Sequence, residues 1–270
     1  MSEIGTVRQR FRDLHQDGLF MMPNPWDLGS ARLLAWLGFP ALATTSSGHA
    51  ATLGRVDQYV RRDELLAHAA ALVAGIDVPL NVDAERCFAD DPRGVADTVE
   101  LIAETGAAGC SIEDYDPASG RIDPIDEAAE RVAAAAEAAR AHGLVFTARA
   151  ENHLYGIEDL ADTVARLCAY RDAGADVVYA PGLTDLDDIA RLVREVGVPV
   201  NVLARANGPS VAELASVGVR RVSTGGALAR AAYGALLRGA RELLDTGTST
   251  YLADAATDAE LAAAFRSPVE

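Results

Sequence analysis

Along the chain, short apolar runs alternate with longer stretches whose apolar positions recur every three or four residues. The short runs are LFMMPNP, ALATTSS, PLNVDAE, GCSIED, LVFTARAE, DVVYAPG, VPVNVLA and RRVSTGG. A run of this length bounded by turn residues predicts a buried strand, and the three-to-four recurrence predicts a helix with one face on a core. Helical stretches such as RRDELLAHAAALVAG, RGVADTVELIAETG and IEDLADTVARLCAYRDAG fill the intervals. Most of them stop at a glycine (Gly38, Gly106, Gly143, Gly174, Gly197, Gly218), the residue that best accepts the left-handed turn closing a helix. Strand then helix, eight times over, predicts an α/β fold: one (β/α)8 TIM barrel spanning residues 1–270. A doubly wound open sheet is the alternative, but its first turn is usually Gly-rich, which NPWDLGS is not.

A barrel of this kind carries its chemistry at the C-terminal ends of its strands. The polar residues fall there. Strand 1 ends in Asn24-Pro25-Trp26-Asp27, strand 2 in Thr45-Ser46-Ser47-Gly48, and strand 3 in Asp83 and Glu85. Strand 4 ends in Glu113 and Asp114, strand 5 in Arg149, Glu151 and Asn152, strand 7 carries Asn201, and strand 8 ends in Ser223-Thr224-Gly225-Gly226. Asp, Ser, Thr and Asn at these places also suit helix caps, but caps require neither Glu nor a lone Arg. Asp83 and Glu85, two apart, are expected on one strand face, where their repulsion calls for a cation, a proton or water.

Asp83, Glu85 and Glu113 form an oxygen-only, acidic set suited to a hard cation, Mg2+ or alternatively Mn2+. Arg149 offers a two-point grip on a carboxylate or phosphonate, and a structural ion pair with Glu151 is its plainer alternative. Ser46 to Gly48 present backbone N–H groups to an anion. His15, His68 and His142 lie on or near helices and are expected at the surface, and His49 in a loop.

The net charge of −16 makes nucleic acid and anionic membrane surfaces unlikely partners and requires local positive charge for an anionic substrate. No apolar run is long enough to span a membrane, and the polar start lacks a signal-peptide core. Three cysteines without metal-ligand spacing (Cys87, Cys110, Cys168) fit a reduced, cytoplasmic setting.

Taken in order, NPWD…SAR, SSG…LGRVD, VDAE, GCSIED, ARAEN, YAPGL, PVNVLA and GVRRVSTGGALARAAYGAL resemble the isocitrate lyase and phosphoenolpyruvate mutase superfamily, from Pro23 to Gly247. The likeness is closer to its short, phosphoenolpyruvate-mutase-like members than to full isocitrate lyases. The resemblance implies a Mg2+-dependent enzyme that cleaves or rearranges a bond in a small 2-oxo or 2-hydroxy carboxylate or dicarboxylate. It implies a pyruvate-type enolate held by the metal and by the N–H groups of Ser47 and Gly48. By position, Asp83 would hold the metal, with Glu85 and Glu113 completing its shell directly or through water. Asp57, in LGRVD, matches the acid that closes over the metal's waters, Arg149 the arginine on the substrate carboxylate, and Asn201 a strand-7 polar residue of the site. A homodimer or homotetramer, packed through the C-terminal helices, is implied too.

The departures lie where the family's reactions differ. Lyases of the family carry a Lys-Cys-Gly-His-type loop after strand 4, whose cysteine donates a proton. Here that loop reads IEDYDPASGRIDPIDE, without Cys, Lys or His, and the Asn-Ser pair of the mutases is missing too. The strand-6 acid is replaced by YAPG. The expectation is therefore a carbon–carbon lyase or decarboxylase. The alternatives are phosphonopyruvate mutase or hydrolase chemistry and a barrel that only binds an oxo-acid.

Overall fold

In the computed structural model, which describes residues 3–266, the apolar runs form eight parallel strands. They are β1 (Phe20–Met22), β2 (Leu42–Ala43), β3 (Leu80–Asp83), β4 (Gly109–Glu113), β5 (Val145–Arg149), β6 (Val177–Tyr179), β7 (Val200–Leu203) and β8 (Arg221–Ser223). Neighbours pair in the order β1-β8-β7-β6-β5-β4-β3-β2. The ladder stops between β1 and β2, where two other bonds close the seam. The Ala43 N–H donates to Pro23 O at 3.1 Å, and Asn24 Nδ2 donates to Thr44 O at 2.8 Å. The (β/α)8 barrel that the alternation predicts is the fold.

Helices α1 (Glu3–Asp13), α2 (Leu28–Trp36), α3 (Ser46–Thr52), α4 (Arg62–Gly75), α5 (Pro92–Glu104) and α6 (Ile125–His142) occupy the first half of the chain. The second half holds α7 (Leu160–Asp172), α8 (Leu186–Val196), α9 (Val211–Ser216), α10 (Ala227–Asp245) and α11 (Asp258–Phe265). All six glycines expected to close helices have positive φ, from 68° at Gly197 to 109° at Gly174. A two-stranded hairpin, Tyr115–Asp116 with Arg121–Ile122, follows β4. α11 packs on α2, while Leu236, Leu237, Leu243 and Leu244 of α10 stay exposed. No helix among the described residues is long and apolar enough to cross a membrane.

The core lies between the strands and the helical ring, and a separate cluster seals the N-terminal end of the barrel. There α1 turns Phe11 onto Phe20, Met22, Val145 and Val177. Gly109 on β4 is required by this packing, because a Cβ on it would lie 2.6 Å from Val145 O and 2.7 Å from Phe11 Cε1. His15 corrects the expectation of a surface residue. It is 5% exposed, set edge-on to Phe11 and Phe20 at 4.9 Å, and its Nδ1 bonds Phe11 O at 2.9 Å. His49, expected in a loop, sits in α3 and stacks on His68 at 3.8 Å.

Candidate active site

The strand ends open into a cavity of about 470 Å3, lined among others by Asn24, Ser46, Ser47, Asp57, Asp83, Arg149, Tyr179 and Asn201. Most of the residues that the sequence singled out thus meet at the C-terminal mouth. Glu85, Glu113 and Gly48 stand behind its wall.

Arg149 organises the acid side. Its Nε donates to Glu151 Oε1 at 2.8 Å, its Nη1 to Asp83 Oδ1 at 2.8 Å, and its Nη2 faces Glu113 Oε2 at 3.3 Å. Strand register explains the grouping, since Arg149 lies opposite Glu113 on β4 and Tyr179 on β6. Burial works against the guanidinium's charge, but Glu151, Asp83 and Glu113 outweigh it and hold the pKa well above the ordinary value. Glu113 also accepts from Gln58 Nε2 at 2.8 Å. Burial raises its pKa well above the carboxylate range, with Arg149 opposing. Burial pushes Glu151 up to about 7, again against Arg149. Asp114 is a support. It accepts from Tyr170 Oη at 2.6 Å, Arg166 Nη1 at 3.1 Å and the Glu151 N–H at 2.8 Å.

Asp83 and Glu85 do not share a strand face. The strand ends at Asp83, and the turn that follows takes Glu85, Cys87 and Phe88 into positive φ of 48°, 60° and 54°. Non-glycine residues pay for that conformation in strain, which proteins concentrate at functional sites. Glu85 ends up 5% exposed, with Oε1 unpartnered among the described residues. Its pKa rises to about 8, first through burial, then through Asp83 and Asp57. Asp57, at the exposed rim, is raised by desolvation of its cavity-facing flank and by Asp83.

Among the described residues, no group of three or more His, Cys, Asp or Glu is arranged to hold a metal ion. The three acids expected around a cation are divided by Arg149, which takes Asp83 and Glu113 and leaves Glu85 alone. The fit is therefore to an ion held by one or two carboxylates and otherwise by water and ligand, the habit of Mg2+. The orphaned Glu85 oxygen and the mutual repulsion of Asp57, Asp83 and Glu85 are the features that a cation would relieve.

The Ser46–Gly48 stretch starts helix α3 instead of forming a loop. The Ser46 N–H donates to Asp83 Oδ2 at 3.1 Å. The Gly48 N–H is taken by the capping Thr45 Oγ1 at 3.4 Å, so Ser46 and Ser47 are the members facing the cavity. Arg205 and Arg230 also line the cavity, Arg230 sharing with Ser47 the space beside Gly226.

Sequence reasoning missed Arg205 and Arg230 of the cavity and, among its buried residues, Tyr179 and Arg221. Tyr179 lies under Arg149, whose Cζ is 5.4 Å from the ring centroid. Arg221, 1% exposed, donates from Nε to Asn201 Oδ1 and from Nη2 to Thr147 Oγ1, both at 3.0 Å. Strand alternation was the available signal, because it puts Arg221 on the same face as Ser223, and Tyr179 on the face of Val177.

A barrel with acids and an arginine at this mouth defines a class of enzymes, and the comparisons agree. The chain belongs to the phosphoenolpyruvate mutase and isocitrate lyase superfamily: the family model described as phosphoenolpyruvate phosphomutase matches residues 11–244. A provisionally assigned lyase/mutase from Burkholderia cenocepacia J2315 superposes with a TM-score of 0.95 at 50% identity, covering 99% of this chain and 98% of that one. An uncharacterized protein of Mycobacterium tuberculosis is 37% identical over 87% of this chain and 89% of its own length. Oxaloacetate acetylhydrolase in complex with its product oxalate superposes with a TM-score of 0.85 at 25% identity, covering 96% and 94%. Members of the superfamily act as lyases, hydrolases or mutases on small oxo-acids.

Proposed function

We propose that the protein is a Mg2+-dependent lyase or decarboxylase acting on a small 2-oxo or 2-hydroxy carboxylate, dicarboxylates included, through a pyruvate-type enolate. One observation carries this reading. A single cavity joins an acid wall, whose carboxylates exceed the one arginine among them, to Arg205 and Arg230. Asp83 and Glu85 would hold the ion, with Asp57 and Glu113 reaching it through water, and the ion would supply positive charge to developing oxyanions.

The chain's own groups bind and orient the ligand. Arg149 spends one N–H on each of three acids, which leaves N–H groups on its two terminal nitrogens for a ligand carboxylate. Ser46 and Ser47, at the start of α3, set polar groups on the opposite side of that carboxylate. A second carboxylate would lie toward Arg205 and Arg230. The oxalate-bound neighbour supports a ligand of this size and charge, since oxalate has the shape of a pyruvate enolate. The exposed leucines of α10 support assembly into a homodimer or homotetramer.

The test is a screen of oxaloacetate, C2- and C3-substituted malates and phosphonopyruvate with Mg2+, following pyruvate release. Turnover of one of the carbon acids is expected. Turnover of phosphonopyruvate alone would replace the reading with P–C bond chemistry, and binding without turnover would leave an oxo-acid-binding barrel.

A further inference from the structure

A chain of side chains runs along β8, β7 and β6 and ends at the cavity, and the roles above leave it unused. It starts at Arg221, whose guanidinium has no carboxylate partner among the described residues. Its contacts are Asn201, Thr147 and the Nε2 of His15 at 3.3 Å. A guanidinium only donates, so the Asn201 oxygen must be the acceptor and the amide orientation is fixed. The Asn201 Nδ2 therefore donates onward to Ser223 Oγ at 2.9 Å. Ser223 accepts there and keeps its own hydrogen; against the burial that raises the Tyr179 phenol's pKa, Arg149 and then the Ser223 hydroxyl draw it down. Tyr179 lines the cavity, where its hydroxyl can donate to a bound ligand. Strand register places Tyr179 between Arg149 and Asn201, and the hairpin over the mouth, 115–122, contains no Cys, Lys or His.

We infer that Tyr179 is a catalytic proton donor of this cavity, positioned by Ser223, Asn201 and Arg221, which protonates the carbon of the enolate. The inference rests on the oxo-acid reading above. In the step, the phenol O–H bond breaks and the C=C electron pair of the enolate forms the new C–H bond. The enolate oxygen becomes a carbonyl, and the phenolate left behind recovers its proton from cavity water. The charge of Arg149 favours that phenolate, and the unpaired charge of Arg221, passed along two polarised hydrogen bonds to Ser223, adds to it. Burial, which pushes the phenol up to about 12, keeps the proton in place between turnovers.

Exchange of the pyruvate methyl protons in D2O with Mg2+, followed by proton NMR, reads this step whatever the natural substrate. Wild type is expected to exchange, and Tyr179→Phe to exchange at least ~100-fold more slowly, the range of general acid catalysis, while binding oxalate as wild type does. Ser223→Ala should slow exchange about tenfold, a tenth of the effect of losing the acid itself, and Ser223→Thr, which keeps the hydroxyl, should restore it. Exchange by Tyr179→Phe at the wild-type rate would overturn the inference, as would a wild type that binds oxalate without exchanging. If Tyr179→Phe does not fold, the serine pair decides, and equal loss in Ala and Thr variants overturns the relay. A wild type that neither binds oxalate nor exchanges removes the oxo-acid reading itself.

Discussion

The contact between His15 and Arg221 makes the stability of this barrel depend on pH in a calculable way. His15 Nδ1–H donates to Phe11 O, so Nε2 is left as the lone pair facing the Arg221 guanidinium. Protonating Nε2 would set two buried cations against each other. Burial, and then Arg221, accordingly lower the His15 pKa to about 3. The unfolded chain takes up the proton near pH 6.5, the folded one only near 3. The folded-state pKa is depressed, so the contribution is complete above about 6.5 and is lost as the pH falls toward 3. Integrated from pH 7.5 to 5, this is about 2 kcal/mol of unfolding free energy. His15→Gln keeps an acceptor for Arg221 and does not titrate. Urea unfolding of both proteins at pH 7.5 and 5, at fixed ionic strength, should therefore show wild type losing about 2 kcal/mol more than the variant. Equal losses in the two proteins would refute the reasoning, because every other group titrates in both.

Other outcomes follow from the site and the packing. Wild type should melt at higher temperature with Mg2+, and Asp83→Ala should not, while remaining folded because Arg149 keeps Glu113 and Glu151. Oxalate calorimetry with Mg2+ varied should separate two defects. Excess Mg2+ should rescue Glu85→Gln at least in part and Arg149→Lys not at all, the latter losing about 1.5–3 kcal/mol of binding. Gly109→Ala should cost about 1–3 kcal/mol in urea unfolding, since its Cβ meets a backbone oxygen that cannot yield. Light scattering at micromolar concentration should give a dimer or tetramer mass, and Leu244→Glu on α10 should lower it.

The barrel was legible because its two periodicities are local, and the six helix-closing glycines lie where the sequence puts them. Helix α3 was not legible, since Ser46-Ser47-Gly48 are weak helix formers and it is the Thr45 cap that starts the helix. Most residues of the cavity were legible from strand ends. The sharing of Arg149 among three acids was not, because it depends on register between β3, β4 and β5 rather than on neighbours in the chain. The sequence posed a substrate clamp and an ion pair with Glu151 as alternatives for Arg149. The structure shows the ion pair and leaves N–H groups over for a ligand. Glu85 was misplaced because alternation holds only while the strand lasts, and the strand ends two residues earlier. The expectations of a surface His15 and a loop His49 fail because the first depends on what packs beside α1 and the second on the Thr45 cap that starts α3.

The seam between β1 and β2 bears on how this protein ages. Asn24 holds it from both sides: Nδ2 donates to Thr44 O, and Oδ1 accepts the N–H groups of Thr224 and Gly225, each at 2.9 Å. Slow loss of its amide would turn that donor into a carboxylate oxygen facing a carbonyl and pry the barrel open. Asparagine usually loses its amide by cyclising onto the nitrogen of the next residue. Here that residue is Pro25, whose nitrogen carries no hydrogen to give up. The side chain on which closure depends is thus shielded from the commonest route of asparagine decay by its neighbour in the sequence. Asn207, followed by Gly208 in the exposed loop after β7, has no such shield, and chemical ageing should begin there, at the rim, with the barrel still closed.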